Sequence, residues 1–454
     1  MTHTHCIKKL LGLKDKNIHL AEEPVTMEKI EGVNHFVVDG TLTYTPSCCA
    51  KCGVVNESHG DIIKHGRKTS TIKLTHVNFQ PVLLKLKKQR FLCKHCGATF
   101  TAETKLVDRH CYIANSIKST IAMELREIQS MALIAKHMNV SSHTVLRVLE
   151  KVGETLRPKY LYLPQHLSID EFKSVKNVSG AMSFLFMDAT NHRLIDIVEN
   201  RQLSYLVDYF LRYPLEARLS VKTVTMDMYS PYFQLVAEVF PNAQVVIDRF
   251  HIVQHLNRGL NSVRIQTMNK IRYERPRDYR KLKQQWKLVL KNQGSLDYEK
   301  LRTHRLYDGL VTQTMMVAYL TSLSPELERV YTLVNRLKEA LQDHDFQRFQ
   351  LELEESRKYR LPKKMRTIIQ TLQRYREEIQ NACRFTLSNG GLEGLNNKVK
   401  NIKRSGFGYR NFYNLRARIL ISSRLVVNTF KPRPVLFADE EKNKTADNQK
   451  NKVA

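Results

Sequence analysis

Three carboxylates stand where their surroundings would let them hold divalent cations: Asp170, Asp227 and Glu393. Asp170 lies in HLSIDEFKSV, an apolar and β-branched run that reads as a strand. Asp227 ends VKTVTMD, a second such run followed by the turn residues of MYSPY. Glu393 follows Ser388-Asn389-Gly390-Gly391 and opens EGLNNKVKNIKR, which reads as a helix capped by Ser388 or Asn389. At 3.6 residues per turn, Leu392, Leu395, Val399 and Ile402 form one stripe, and Glu393, Asn397, Lys400 and Arg404 fall together on another. The helix thus offers a carboxylate and then cations, with Lys398 and Lys403 adding to Lys400 and Arg404. A divalent metal wants the first and a phosphodiester backbone the second. Glu171, next to Asp170, points to the opposite face of a strand, and it and Asp188 read as solvated charges.

A second set of chemistry-bearing residues is Cys49-Ala-Lys-Cys52 and Cys93-Lys-His-Cys96, each pair followed at once by glycine, Gly53 and Gly97. Two such knuckles can close a tetrahedral four-thiolate site for a structural zinc ion, with no open position for catalysis. The gap between the pairs exceeds the roughly 15–20 residues usual in zinc ribbons, and STIKLTHVNFQPVLLKLKKQRFLC within it could supply extra strands. Cys48 adjoins Cys49, so which of the two sulfurs binds is open. Cys6, Cys111 and Cys383 read as ordinary thiols.

Lys and Arg number 73 against 44 Asp and Glu, a net charge of +29 over 454 residues, spread through the chain rather than held in a tail. Such a protein seeks a polyanion. The length allows two to four domains, and 42% hydrophobic residues are ample for packed cores. No apolar run approaches the roughly 20 residues that cross a bilayer, and MTHTHCIKKLLGLKDK lacks the apolar core of a secretory signal. The expected place of work is the cytoplasm, on DNA, with no membrane partner.

The elements that must position these residues follow in order. Residues 1–40 form an N-terminal segment and 41–105 the zinc ribbon. In 110–158, SMALIAKHMNVSSHTVLRVLEKV reads as a helix-turn-helix. Ile134, Ala135 and Met138 make a stripe, Asn139 the break, and Ser141 or Ser142 caps a second helix bearing Val145, Val148 and Leu149. That helix would turn Ser142, His143, Thr144 and Arg147 toward a major groove. From 160 to 252, strands and helices alternate in an order that suits a ribonuclease-H-like α/β core, which gathers distant acids at one sheet edge. Residues 253–385 read as a helical insertion, in which Arg264 to Lys291 hold ten Lys or Arg against Glu274 and Asp278, a face fit to grip DNA. Residues 386–430 return the Glu393 helix to the core, and 431–454 are polar, aperiodic and expected to be disordered. The fold class is multidomain α+β.

Four segments resemble the DDE transposases of bacterial insertion sequences, in particular the ISL-three family. They are SIDEF around Asp170, VTMDMYSPY around Asp227, VVIDRFHIVQHLN around Asp248 and His251, and SNGGLEGLNNKVKNIKRSGFGYRNFYNLRARIL around Glu393. The resemblance implies that Asp170, Asp227 and Glu393 are the catalytic triad, holding two Mg2+ or Mn2+ ions. Asp248 and His251 match an accessory Asp-x-x-His element, which either takes part in the site or only braces it. It also implies double-stranded DNA as partner, both the element's terminal inverted repeats and the target, strand cleavage and strand transfer as the reaction, and a homo-oligomer on DNA. Two other readings share these modules: a DNA-binding regulator or inactive domesticated transposase, and a structure-specific nuclease with the same core.

Overall fold

The structure, a computed structural model, describes residues 3–57, 60–178 and 180–424, so the expected tail at 431–454 lies outside the described residues. The chain divides into two compact units. Among the described residues, one comprises those up to Glu127, Ile134–Ser141 and Arg424, and the other Ile128–Leu133 and Ser142–Ser423.

The first unit is built on a sheet. After helix α1 (His3–Leu10) come β1 (Ile18–Ile30), β2 (Val33–Leu42), β3 (Ile62–Val77), β4 (Gln80–Cys93), the short β5 (Thr99–Thr101) and helix α2 (Asn115–Glu124). The sheet order is β1-β2-β4-β3, with β5 on β4. The residues between the cysteine pairs form the β3–β4 hairpin, turned by Asn78 and Phe79 in left-handed conformation (φ 49° and 61°). Before residue 41, where the sequence named no element, β1 and most of β2 join the same sheet. Ile18, Val38, Leu42, Ile72, Leu84, Leu86 and Phe91 form its core.

Helix α3 (Met131–His137) and helix α4 (Ser142–Thr155) follow, with Asn139 left-handed between them (φ 49°), and the division between the units runs through this stretch. Ile134, Ala135, Val145, Val148 and Leu149 are buried as their spacing expects. Thr144, expected to face outward, is only 6% exposed. The buried arc of α4 takes in 144, 145, 148 and 149, so Thr144 shares the core side and accepts a 3.2 Å hydrogen bond from Arg147.

The second unit centres on a five-stranded sheet. Its strands are β6 (His166–Lys173), β7 (Met182–Asp188), β8 (Leu194–Val198), β9 (Thr223–Met226) and β10 (Gln244–Ile247). The order is β10-β9-β6-β7-β8, with β6, β7 and β8 antiparallel and β9 and β10 parallel to β6. Helices α5 (Leu203–Phe210), α6 (Leu215–Leu219) and α7 (Ser230–Val239) connect the later strands. Because side chains alternate along β6, Leu167 and Ile169 join Leu206, Phe210, Tyr232 and Leu235 on one face. Phe172, Leu185 and Ile197 join Leu392, Leu395, Val399 and Ile402 on the other.

From α8 (Arg249–Lys270) the chain is largely helical: α9 (Pro276–Gln284), α10 (Trp286–Leu290), α11 (Gln313–Ser322), α12 (Pro325–Gln342), α13 (Phe346–Glu355), α14 (Lys363–Arg374) and α15 (Arg376–Arg384). A two-residue antiparallel pairing of Arg302–Thr303 with Leu310–Val311 interrupts it. These helices share their own core around Leu256, Leu260, Val330, Leu337 and Leu372. Helices α16 (Gly390–Ser405) and α17 (Phe412–Arg424) then return to the sheet, where Arg416 pairs at 2.5 Å with the buried Asp196 of β8. Among the described residues no helix is long and apolar enough to cross a membrane.

Candidate active site

Strand register brings the acids together. In the parallel pair β6–β9, His166 stands opposite Thr223 and Ser168 opposite Thr225, so continuing by two residues puts Asp170 beside Asp227. In β9–β10, Met226 stands opposite Ile247, so the next step puts Asp227 beside Asp248. Asp227 and Asp248 therefore follow the carboxyl ends of β9 and β10, the place where open α/β sheets bind ligands, and Asp170 lies level with them within β6. Burial pushes the Asp170 carboxyl up to about 6, with the neighbouring Asp227 charge adding to the rise and the Glu171 amide opposing it. Asp248 is 6% exposed and is also raised, chiefly by burial. It caps α8 by accepting from the Phe250 amide at 3.3 Å. One turn in, His251 Nε2 lies 2.8 Å from Asp227 Oδ1. Burial works against charge on that imidazole, but its close contact with Asp227 and attraction to Asp227, Asp248 and Asp170 outweigh it, so its pKa is raised.

Both oxygens of Asp170 have donors. The Glu171 amide reaches Oδ1 at 2.7 Å and Asn396 Nδ2 reaches Oδ2 at 2.7 Å. Asn396 sits three residues after Glu393, one helical turn along α16 on nearly the same face. Glu393 itself is exposed, four residues inside a helix that begins at Gly390. Asn389 holds the N-cap position, but its side chain turns to the Ile169 carbonyl at 3.4 Å while Ser388 Oγ accepts from the Gly390 amide. The amide oxygens of Asn389 and Asn396 are buried and have no hydrogen-bond partner among the described residues. Gly391 is required for space: a Cβ there would come 2.5 Å from the His192 ring. The structure thus gathers Asp170, Asp227, Asp248 and His251, and leaves Glu393 on the helix that touches Asp170.

Some charges sit otherwise than the sequence expected. Glu171 is only partly exposed and is held in place: it pairs with Arg201 and accepts from Tyr232 at 3.0 Å, on the opposite face from Asp170. Asp188 orders the β7–β8 turn by accepting from the Thr190 amide and Asn191. Lys398 donates to the Ser422 carbonyl at 2.6 Å, and Lys403 to those of Lys173 and Ser174 at 2.7 and 2.9 Å. Both ammonium groups therefore fasten α16 to its neighbours rather than lying open to a ligand, because their long stems reach past the helix edge to carbonyls. Lys400 and Arg404 are exposed. In the basic stretch from Arg264, Arg264 is buried against the Leu282 carbonyl and Lys281 between the Tyr307 and Tyr319 rings, so these two cations are internal.

The cysteine site is compact. The sulfurs of Cys49, Cys52, Cys93 and Cys96 lie within 4.8 Å of one another, and among the described residues no other group of three or more His, Cys, Asp or Glu is so close. Gly53 and Gly97 are left-handed (φ 73° and 68°) and donate to the Cys49 and Cys93 carbonyls, which turns each knuckle. Hydrogen bonds from the backbone of Cys52 and Lys51 draw the Cys49 thiol down to about 6. Cys48 is exposed and outside the cluster, which answers which of the adjacent sulfurs belongs to it.

A family model described as a transposase, of the ISL3 group of DDE enzymes, matches residues 167–419, more than half of the chain. The chain belongs to this transposase family. It is also 25% identical over 334 residues, 72% of its length and 78% of the relative's, to the transposase for insertion sequence element IS1001 of Bordetella parapertussis. A shorter similarity, 37% identity over 111 residues, covers 24% of the chain and 35% of a Lactococcus lactis protein named ATP-dependent protease. The matched region of this transposase contains Asp170, Asp227, Asp248, His251 and Glu393. Sequence reasoning passed over Asn396, whose spacing from Glu393 was the available signal.

Proposed function

We propose that this transposase binds the terminal inverted repeats of its element and cuts and joins DNA at the Asp170–Asp227 site. The observation that carries the reading is the register of β6, β9 and β10, which aligns Asp170, Asp227 and Asp248. The strand order, three antiparallel strands and two parallel ones, with helices on both faces, supports a ribonuclease-H-like core. The buried acids, with the orphan amide oxygens of Asn389 and Asn396 beside them, suit divalent cations, Mg2+ or Mn2+. Asp170 and Asp227 would hold them, with Glu393 as third ligand. Two such ions supply Lewis acidity to the attacking and leaving oxygens of an in-line displacement. The chain's own residues do the rest. Asn396 and the Glu171 amide fix the Asp170 carboxylate, His251 braces Asp227, and Asp248 anchors the start of α8. Glu393 lies one turn before Asn396, which already touches Asp170.

Cys49, Cys52, Cys93 and Cys96 would hold a structural zinc ion, whose chemistry there is to clamp the two knuckles. In α4, Ser142, His143 and Arg147 are exposed and would read DNA from a helix-turn-helix, without Thr144. Lys400 and Arg404 would track phosphates next to the site.

The test is cleavage of labelled duplex carrying the sequence that flanks this chain's own coding region. Mg2+-dependent cutting at the repeat boundary, lost with EDTA, is expected. Asp227→Asn should lower it about 10³-fold, because several kcal/mol of charge stabilisation are lost at 1.36 kcal/mol per decade. Binding should change little. Binding by the wild type without any cleavage would favour the regulator instead.

A further inference from the structure

The loop after α16 carries an aromatic ring that the fold does not use. Phe407 is 94% exposed and sits on left-handed backbone (φ 52°), a conformation uncommon for a bulky residue. The loop is nevertheless firmly built. Phe407 and Gly408 donate their amides to the Arg404 and Lys403 carbonyls at 3.1 and 2.9 Å, and Gly406 donates to Ile402. The Tyr409 ring packs on the core beside Val399 and Ile402 and lies so near Gly406 that a Cβ there would meet it at 2.8 Å. Asn411 then caps α17 by accepting from the Tyr413 amide at 2.7 Å. A pedestal of packed and hydrogen-bonded groups therefore holds one phenyl ring in water, flanked by the exposed Arg404 and Arg410 and following Lys400. Isolated exposed apolar residues need no explanation, and Phe79 is 97% exposed at a hairpin tip. What sets Phe407 apart is its place at the end of a cationic helix face that starts at the Glu393 carboxylate.

We propose that Phe407 is a DNA wedge, its ring stacking on a nucleobase unstacked from the duplex that Lys400, Arg404 and Arg410 grip by its phosphates. The wedge rests on the DNA-cleaving function proposed above. Every base has a π-face, so the contact would not depend on sequence, and apolar wedges are a common means of kinking a duplex. At 1.5 Å per residue, the twelve residue steps from Glu393 to the end of α16 span about 18 Å, or roughly five base-pair steps. The disturbed base should lie about that far from the cleaved phosphate. Unstacking there would bend the end toward the acids.

The experiment uses the full chain and a 50-base-pair duplex of the flanking sequence, with 2-aminopurine placed singly at each of the ten pairs nearest the boundary. The wild type should raise the fluorescence several-fold at one position, about five pairs from the cut. Phe407→Ala should remove that rise and weaken binding roughly ten-fold, within the range of one base–aromatic stack. Phe407→Trp should keep both. Because the ring is exposed, all three proteins should melt alike. If the wild type binds and cuts but Phe407→Ala gives the same fluorescence and affinity, the wedge is wrong and the catalytic reading stands. If the wild type neither prefers nor cuts this duplex, that reading falls and takes the wedge with it.

Discussion

The cysteine cluster and the acidic strand ends would both take a metal, yet they are assembled differently. The four sulfurs already lie within 4.8 Å of one another, because two glycine-turned knuckles at the ends of a hairpin bring them there by local geometry. The acids are paired by sheet register, but Asp170 is pushed up to about 6 by burial and by Asp227, and Glu393 stays in solvent one turn from the contact of α16 with Asp170. The buried Asp170 carboxyl resists ionisation until a cation arrives. One region is a preformed clamp, and the other is a site that its ligands complete.

The sharpest way to break this contrast is to disarm the clamp. Cys49→Ser should abolish cooperative melting of the sheet unit in calorimetry while the second unit keeps its own transition, since zinc binding to such sites is worth about 10–16 kcal/mol of folding free energy. An unchanged thermogram would mean that the clamp holds no metal. Next comes the arm that fixes Asp170. Asn396→Ala leaves Oδ2 without its donor, a loss of about 1–3 kcal/mol, and single-turnover cleavage should fall roughly 10- to 100-fold with DNA affinity kept.

Acidity gives the third prediction. Asp170 must lose its proton to ligate a cation, so Mn2+ affinity should fall as pH drops through about 6, by close to ten-fold per unit. The sign for stability is opposite in sense. A raised carboxyl pKa contributes stability below its unfolded value, and that contribution is lost as pH rises through about 6. Urea unfolding of the metal-free protein between pH 4 and 7 would show the trend, and Asp170→Asn should flatten it.

The smallest effects separate the lysines of α16. Lys400→Ala should weaken DNA binding a few-fold and reduce its salt slope by about one without lowering stability. Lys398→Ala, which strips a donor from the Ser422 carbonyl, should cost about 1 kcal/mol of stability. Equal behaviour of the two would erase the distinction between track and fastener.

Much of this was legible in the chain. Apolar, β-branched runs announced β6 and the strand ending at Asp227, helical spacing announced the buried stripe of Leu392, Leu395, Val399 and Ile402, and CxxCG spacing announced the clamp. What was hidden depends on pairing between distant segments. The alignment of Asp170, Asp227 and Asp248 is a property of register, which no single strand encodes. Lys398 and Lys403 looked like Lys400 because a helix face does not say which carbonyls lie beyond its edge. Thr144 was placed outward with Ser142, His143 and Arg147, while the buried arc of α4 is one residue wider than the Val145, Val148 and Leu149 stripe. Glu171 looked solvated because its partners, Arg201 and Tyr232, come from elsewhere in the fold.

If Asp170, Asp227 and Glu393 form one cation site when DNA is bound, electron paramagnetic resonance can count its Mn2+ ions on the zinc-loaded protein with uncleaved end duplex. Two tight ions per chain are expected in the wild type, fewer in Glu393→Gln and none in Asp227→Asn. Equal Mn2+ binding in all three proteins would contradict the account.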